Sequence, residues 1–417
     1  MDGLKVLDPE RPIREADIWR AGCDFRVVPT GDMRGDLHLF SACSGASTTR
    51  SGLCFPSYEA IANRAGCARP SRDVTEIDVV HSALPKYHAG HNLASHVNKM
   101  NVSKSLKITG LALCLLLALA GVGVMRAWAP DRTPQSLTER WAQAPSQFVA
   151  IDGIQVHLRD EGPPEDTQPI VLLHGTSASL HTWDGWVAAL KASHRVIRVD
   201  VPGFGLTGPA PDGVYAISAY TRFVVDMMDK LGVKQAVIAG NSFGGYVAWK
   251  TAVDYPDRVS KLVLVDAGGY AYQAQSTPIG FKLAQLPLLK PVMSKLLPRS
   301  MVESSVRDVY GDPSKVTPEL VDRYYELTLR AGNREALVAR FQQSKHGEFE
   351  SQIQQIAKPT LIIWGGQDHL IPPEYADKFH HDIMGSRLEV FDKLGHVPHE
   401  EDPIATVAAV QSFLEQH

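Results

Sequence analysis

AVIAGNSFGGYVAWKTAVDYP, residues 236–256, sets a short apolar run, a glycine-flanked serine and a helix-forming segment end to end. Within it Gly240-Asn241-Ser242-Phe243-Gly244 fits G-x-S-x-G between a strand and a helix, the context that gives this pentapeptide its meaning. The turn must be sharp, so the flanking residues must be small. The Ser242 hydroxyl then projects above the sheet at the start of the following helix. A glycine-rich turn with a capping serine would produce the same five residues, so the surroundings have to decide between the two.

Outward from this turn, strands and helices alternate. QFVAIDGIQVHLRDEG reads as a hairpin turning at Asp152-Gly153, and PIVLLHG and RVIRVDVPGFG read as short buried strands that end in glycine loops. TRFVVDMMDKLG is an amphipathic helix and KLVLVDA the next strand; TLIIWGG, RLEVFDK and the helix PIATVAAVQSFLEQ close the chain. Such alternation implies an α/β fold, a mostly parallel sheet with helices on both faces. It is interrupted between Gly268 and Pro359 by a stretch rich in Leu, Pro and Tyr, with a helix entered at Thr317 and Pro318. An insertion of this size between strands reads as a helical cap.

A serine hydroxyl is a weak nucleophile unless a base removes its proton during attack. His396, in Lys393-Leu394-Gly395-His396-Val397-Pro398 between the last strand and the last helix, is expected to be that base, in preference to His399. Asp368, after Trp364-Gly365-Gly366-Gln367 at a strand end, stands in the order Ser, Asp, His that this architecture requires. Its role would be to hold one histidine tautomer, with Asp266 at the end of the preceding strand as the alternative acid. Backbone N–H groups of Thr176, in His174-Gly175-Thr176, and of Phe243 are placed to form an oxyanion hole, where each donor contributes about 3 to 4 kcal/mol in studied cases.

LLHGTSASLHTWDGW, DVPGFGLTG, GNSFGG, WGGQDHLIP and KLGHVPHEEDP together resemble the α/β-hydrolase family, in order from about Phe148 to the C-terminus. The resemblance implies a triad of Ser242, Asp368 and His396 with Thr176 and Phe243 as oxyanion donors. It also implies serine chemistry that uses no metal or organic cofactor. Members that are haloalkane dehalogenases or epoxide hydrolases carry an aspartate where this chain has Ser242. Members that hydrolyse carbon–carbon bonds keep the serine, but tend to have a more glycine-rich loop than His174-Gly175-Thr176-Ser177-Ala178.

The chain has 417 residues, a net charge of −4 and a pI near 6.5, and so lacks the basic field that a nucleic-acid partner requires. All five cysteines, Cys23, Cys43, Cys54, Cys67 and Cys114, precede residue 115, which leaves the enzyme domain without thiol, disulfide or cysteine metal site. The uncharged run from Ile108 to Met125, preceded by Lys104 and Lys107, is long enough for a transmembrane anchor, with a cleaved export signal as its rival. The flanking charges would leave the hydrolase on the extracytoplasmic side. A lipoprotein signal at Cys114 is excluded by the bulky Leu113 before it.

Met100 stands where an anchored protein would begin, so residues 1–99 read as a poorly structured upstream extension. Within it FPSYEAIANRAGCARPSRDVTE resembles a helix-turn-helix fragment. The expected order is therefore that extension, a basic flank and anchor over 100–129, and a linker over 130–145. The first part of the hydrolase core follows over 146–267, the cap over 268–357 and the second part of the core over 358–417. The expected activity is hydrolysis of a small-molecule carboxylic ester through an acyl-serine. Carbon–carbon or lactone hydrolysis, or ligand binding without turnover, are the alternatives.

Overall fold

The computed structural model describes residues 93–286 and 295–415. The helix-turn-helix-like fragment and the first four cysteines lie outside the described residues.

Eight strands form one sheet in the order β1-β2-β4-β3-β5-β6-β7-β8. The first two, β1 (Gln147–Ile151) and β2 (Ile154–Glu161), make the expected hairpin, with Asp152 and Gly153 both at positive φ in its tight turn. β2 also pairs antiparallel with β4 (Val196–Val199). From β4 onward every pairing is parallel, through β3 (Ile170–Leu173), β5 (Ala236–Asn241), β6 (Val259–Val265), β7 (Thr360–Gly365) and β8 (Arg387–Phe391).

The central strands are predominantly apolar because both sheet faces are covered. Ala236 and Ile238 of β5 join one core with Tyr220, Val224 and Met228 of a helix over Ile217–Lys230 and Val247 of another over Phe243–Asp254. Val237 and Ala239, pointing the other way, join Trp186 of a helix over Asp184–Leu190 and Val410 and Phe413 of one over Pro403–Glu415. The period of two along each strand thus sorts one apolar run into two cores.

Between β6 and β7 the cap includes helices over Ile279–Ala284, Arg299–Arg307, Pro318–Thr328 and Asn333–Gln343. The third of these begins as its sequence predicts, with the Thr317 side chain capping Leu320 N–H and Pro318 in the first turn.

The amino-terminal apolar run belongs to a helix over Leu93–Ala127, of which Leu106–Ala127 is long and apolar enough to cross a membrane and is not buried against the rest of the protein. Of its 22 residues each rises about 1.5 Å, so the segment spans roughly 33 Å, close to the hydrocarbon thickness of a bilayer. The linker that follows is not featureless. Thr133 caps a helix over Pro134–Trp141, and the chain on either side of Asp131 is laced to the cap. Leu297 N–H donates to Ala127 O at 2.8 Å, Ala129 N–H to Lys295 O at 2.9 Å, and Arg132 N–H to Leu329 O at 2.7 Å.

Candidate active site

The serine of the glycine pentapeptide stands at the end of β5 with φ 54° and ψ −115°, a strained combination for a residue with a side chain. Three backbone bonds hold it there: its N–H donates to Val265 O, and its carbonyl accepts from Tyr246 and Gly268 N–H. The glycines are required by close approach. A Cβ at Gly244 would run into the carbonyl oxygens of Leu173 and His174, and one at Gly240 into the backbone of Gly244.

His396 and Asp368 arrive from two loops beyond the cap. His396 Nδ1–H donates to Asp368 Oδ2 at 2.7 Å, and both residues are buried. The other oxygen, Asp368 Oδ1, accepts from Leu370 and Ile371 N–H at 2.8 and 2.9 Å, which orients the carboxylate. His396 Nε2 is buried and has no hydrogen-bond partner. Together with Ser242 it borders a narrow cavity of about 130 Å³, walled by Leu297, Met301, Val302, Val306 and Val338 of the cap.

Asp266, the alternative acid, is brought to the same place but placed differently. Its Oδ1 accepts from Gly365 N–H at 2.9 Å, and it makes no bond to His396. Nearest atoms of Asp266, Asp368 and His396 all lie within 4.8 Å of one another. Burial, reinforced by the charge of Asp368, pushes the Asp266 carboxyl well above the usual carboxylate range. The shift favours its protonated form, to which a hydrogen bond with Asp368 also contributes, and its Oδ2 accepts from no donor. His399 is fully buried against Trp183, with Nε2 at 3.0 Å from Thr182 Oγ1. Burial first, and then the charges of His396 and Arg323, hold it well below the usual histidine range, so it stays neutral as a packing group.

Thr176, Ser242 and Phe243 border a second, wider cavity of about 730 Å³. The turn bearing Thr176 is pressed against the serine, since a Cβ on Gly175 would lie 3.2 Å from Ser242 Cβ. His174 anchors that turn from beneath: Val201 N–H donates to its Nε2, and its Nδ1–H donates to Gly175 O at 2.8 Å.

The sequence profile of the alpha/beta hydrolase fold matches residues 168–403, from the first parallel strand through the His396 loop. The chain belongs to the alpha/beta hydrolase fold family. A 2-hydroxy-6-oxononadienedioate/2-hydroxy-6-oxononatrienedioate hydrolase of a Pseudomonas species is 32% identical over 58% of this hydrolase and 85% of its own length. The uncharacterised hydrolase YugF of Bacillus subtilis is 27% identical over 66% of this chain and 99% of its own. Among solved structures, a meta-cleavage product hydrolase from Pseudomonas fluorescens is 25% identical, with a TM-score of 0.56 over 65% of this chain and 97% of that one.

Three residues of the hydrolase that sequence reading did not single out hold the site together. Asn241 Nδ2 donates to His396 O at 2.9 Å and to Val265 O at 3.2 Å, tying the serine turn to the histidine loop. Glu401 accepts from Gly395, Gly311 and Asp312 N–H at 2.8 to 2.9 Å, while His396 N–H donates to Val309 O of the cap. Arg340, on the cap helix Asn333–Gln343, donates from Nη2 to Thr176 Oγ1 at 3.0 Å. Only Asn241 carried a local signal, as the second residue of the pentapeptide; the others act over large sequence separations.

Proposed function

We propose that this hydrolase cleaves carboxylic esters through an acyl intermediate on Ser242. The observation that carries the reading is His396 Nε2, buried without a hydrogen-bond partner on a residue that lines the same cavity as Ser242, with Nδ1–H committed to Asp368. In the proposed cycle, Ser242 Oγ attacks the ester carbonyl and passes its proton to His396 Nε2. The Thr176 and Phe243 N–H groups receive the charge on the carbonyl oxygen. The tetrahedral species collapses as the alcohol leaves with the proton from His396. Water then attacks the acyl-serine and gives a proton to His396, and as the carboxylic acid is released Ser242 Oγ takes that proton back from His396. No step uses a metal or organic cofactor.

Carbon–carbon bond hydrolysis on the same residues is the second reading, favoured by the relatives whose names specify such substrates. A panel of alkyl and aryl esters beside a 2-hydroxy-6-oxo-dienoate separates the two. Ester turnover that disappears in Ser242→Ala, without dienoate turnover, supports the first; dienoate turnover alone supports the second. We further propose that the helix Leu106–Ala127 anchors the protein in a membrane, with the hydrolase on the extracytoplasmic side. The anchor reading requires that full-length protein stay with membranes through carbonate extraction. Labelling of Lys104 from the outside would reverse the orientation.

A further inference from the structure

Two arginines on the cap helix Asn333–Gln343 are buried to the same degree, each 6% exposed, and they are neutralised differently. Arg334 meets a carboxylate, Asp131 of the linker, at 2.5 Å. Arg340 meets none: among the described residues no Asp or Glu forms an ion pair with it, and none lines the wide cavity it shares with Ser242, Thr176 and Phe243. Its guanidinium carbon lies 4.4 Å from the Phe243 ring centre and 4.6 Å from that of Phe341. Its Nε is buried with no hydrogen-bond partner.

A buried cation without a counter-charge is strongly destabilising, and ring faces and the carbonyls at a helix C-terminus offset only part of that. Burial correspondingly lowers the basicity of Arg340. The missing negative charge has one place from which to come, the cavity itself. Both cavities include Thr176 and Ser242 in their walls, so a molecule held at the serine extends into both.

We propose that Arg340 receives a carboxylate of the substrate, so that the hydrolase acts on esters with an apolar group on one side of the scissile bond and an anionic group on the other. The apolar part occupies the narrow cavity behind Leu297, Met301 and Val306, and the carboxylate lies in the wide one against the planar guanidinium, whose fork of donors matches it. The proposal rests on the ester reading above for the position of the scissile bond, but the anion site itself is testable without turnover.

The test uses the full chain in detergent and para-hexylbenzoate against para-hexylbenzamide, of nearly the same shape, in which a neutral amide replaces the carboxylate. Calorimetry is expected to show the acid binding about 10- to 100-fold more tightly than the amide, as for a charged hydrogen-bonded pair, and Arg340→Met to erase the difference. Arg340→Lys, which keeps the charge, is expected to retain part of it, and carries the test should the methionine variant not fold. In turnover, a para-acyloxybenzoate is expected to be preferred over the matching para-tolyl ester, with Arg340→Met removing the preference through KM. Equal binding of acid and amide overturns the proposal. So does an equal loss of kcat on both esters at unchanged KM, which would make Arg340 a positioning residue for Thr176. Fluorophosphonate labelling of Ser242 tests the ester reading separately. Labelling without acid preference refutes the anion site alone; acid preference without labelling leaves the anion site and refutes the ester reading.

Discussion

At the antiparallel edge of the sheet, Ser146 Oγ lies 2.9 Å from His157 Nε2, and His157 Nδ1–H donates to Asp200 Oδ2 at 2.7 Å. At the carboxyl ends of the parallel strands the corresponding chain is complete only from His396 to Asp368, also at 2.7 Å, with His396 Nε2 free. The same three residue types are thus linked more fully away from the cavities that Ser242 borders. Ser146 accepts a second bond from Arg159 Nε, Phe148 stacks over the His157 ring, and Asp200 also accepts from Leu180 and Leu206 N–H. Every polar group in that relay is engaged in holding the hairpin to the sheet. Ser242 differs in its surroundings: a strained turn at a helix start, pressed against the loop of Thr176 and bordering two cavities. A saturated relay is a brace, and an unsaturated one beside a cavity has capacity left for a substrate.

The largest effect that tests this contrast is on Ser242. Ser242→Ala is expected to lower ester turnover by about 10⁵- to 10⁶-fold and to abolish fluorophosphonate labelling, whereas Ser146→Ala leaves labelling in place. Label retained on Ser242→Ala and lost on Ser146→Ala would exchange the two roles. Next, Asp368→Asn is expected to cost about 10⁴-fold in kcat by favouring the wrong histidine tautomer, and Asp266→Asn, which keeps a donor toward Asp368, less than about 10-fold. The opposite ranking in steady-state kinetics would move the acid to Asp266.

Asp200→Asn addresses the brace. Replacing one member of a buried charged network is expected to destabilise the fold by about 3 kcal/mol in urea titrations, while kcat per folded molecule is retained. A kcat loss comparable to that of Asp368→Asn would make the second relay part of the chemistry.

A smaller effect depends on pH. Folded Asp266 has a raised pKa, so above the unfolded value, near 3.8, the unfolded chain releases a proton that the folded one keeps, and stability falls as pH rises toward the folded pKa. Asp266→Asn lacks that proton. Its melting temperature relative to wild type is therefore expected to increase as the pH rises above about 4, and a constant difference would mean that Asp266 is ionised in the fold. Smallest is Ser146→Ala itself, at about 1 kcal/mol, because the hydrogen bonds it removes, to His157 and from Arg159, lie at a partly exposed position.

Much of this architecture was written locally. The apolar runs at β3, β5, β6 and β7, the positive-φ pair Asp152 and Gly153, and the cap of Thr317 before Pro318 are each decided by a few adjacent residues, because strand period, turn conformation and helix capping are short-range effects. The pentapeptide around Ser242 belongs with them, since its glycines answer contacts made by the turn itself and by the adjoining strand. The helix over Pro134–Trp141 was equally local, with Thr133 and Pro134 as its start, within the segment expected to be a linker. What only the tertiary structure decided is which look-alike residue does what. Asp266 and Asp368 both end apolar strands, and His396 and His399 are three residues apart. They are told apart by burial and by partners 28 to 99 residues away, such as Asp368 for His396 and Gly365 for Asp266. Arg334 and Arg340 likewise occupy one helix. Which of them faces Asp131 and which faces the serine follows from how the cap sits on the sheet, because a counter-charge is a matter of distance in space and leaves no trace in the order of residues along the chain.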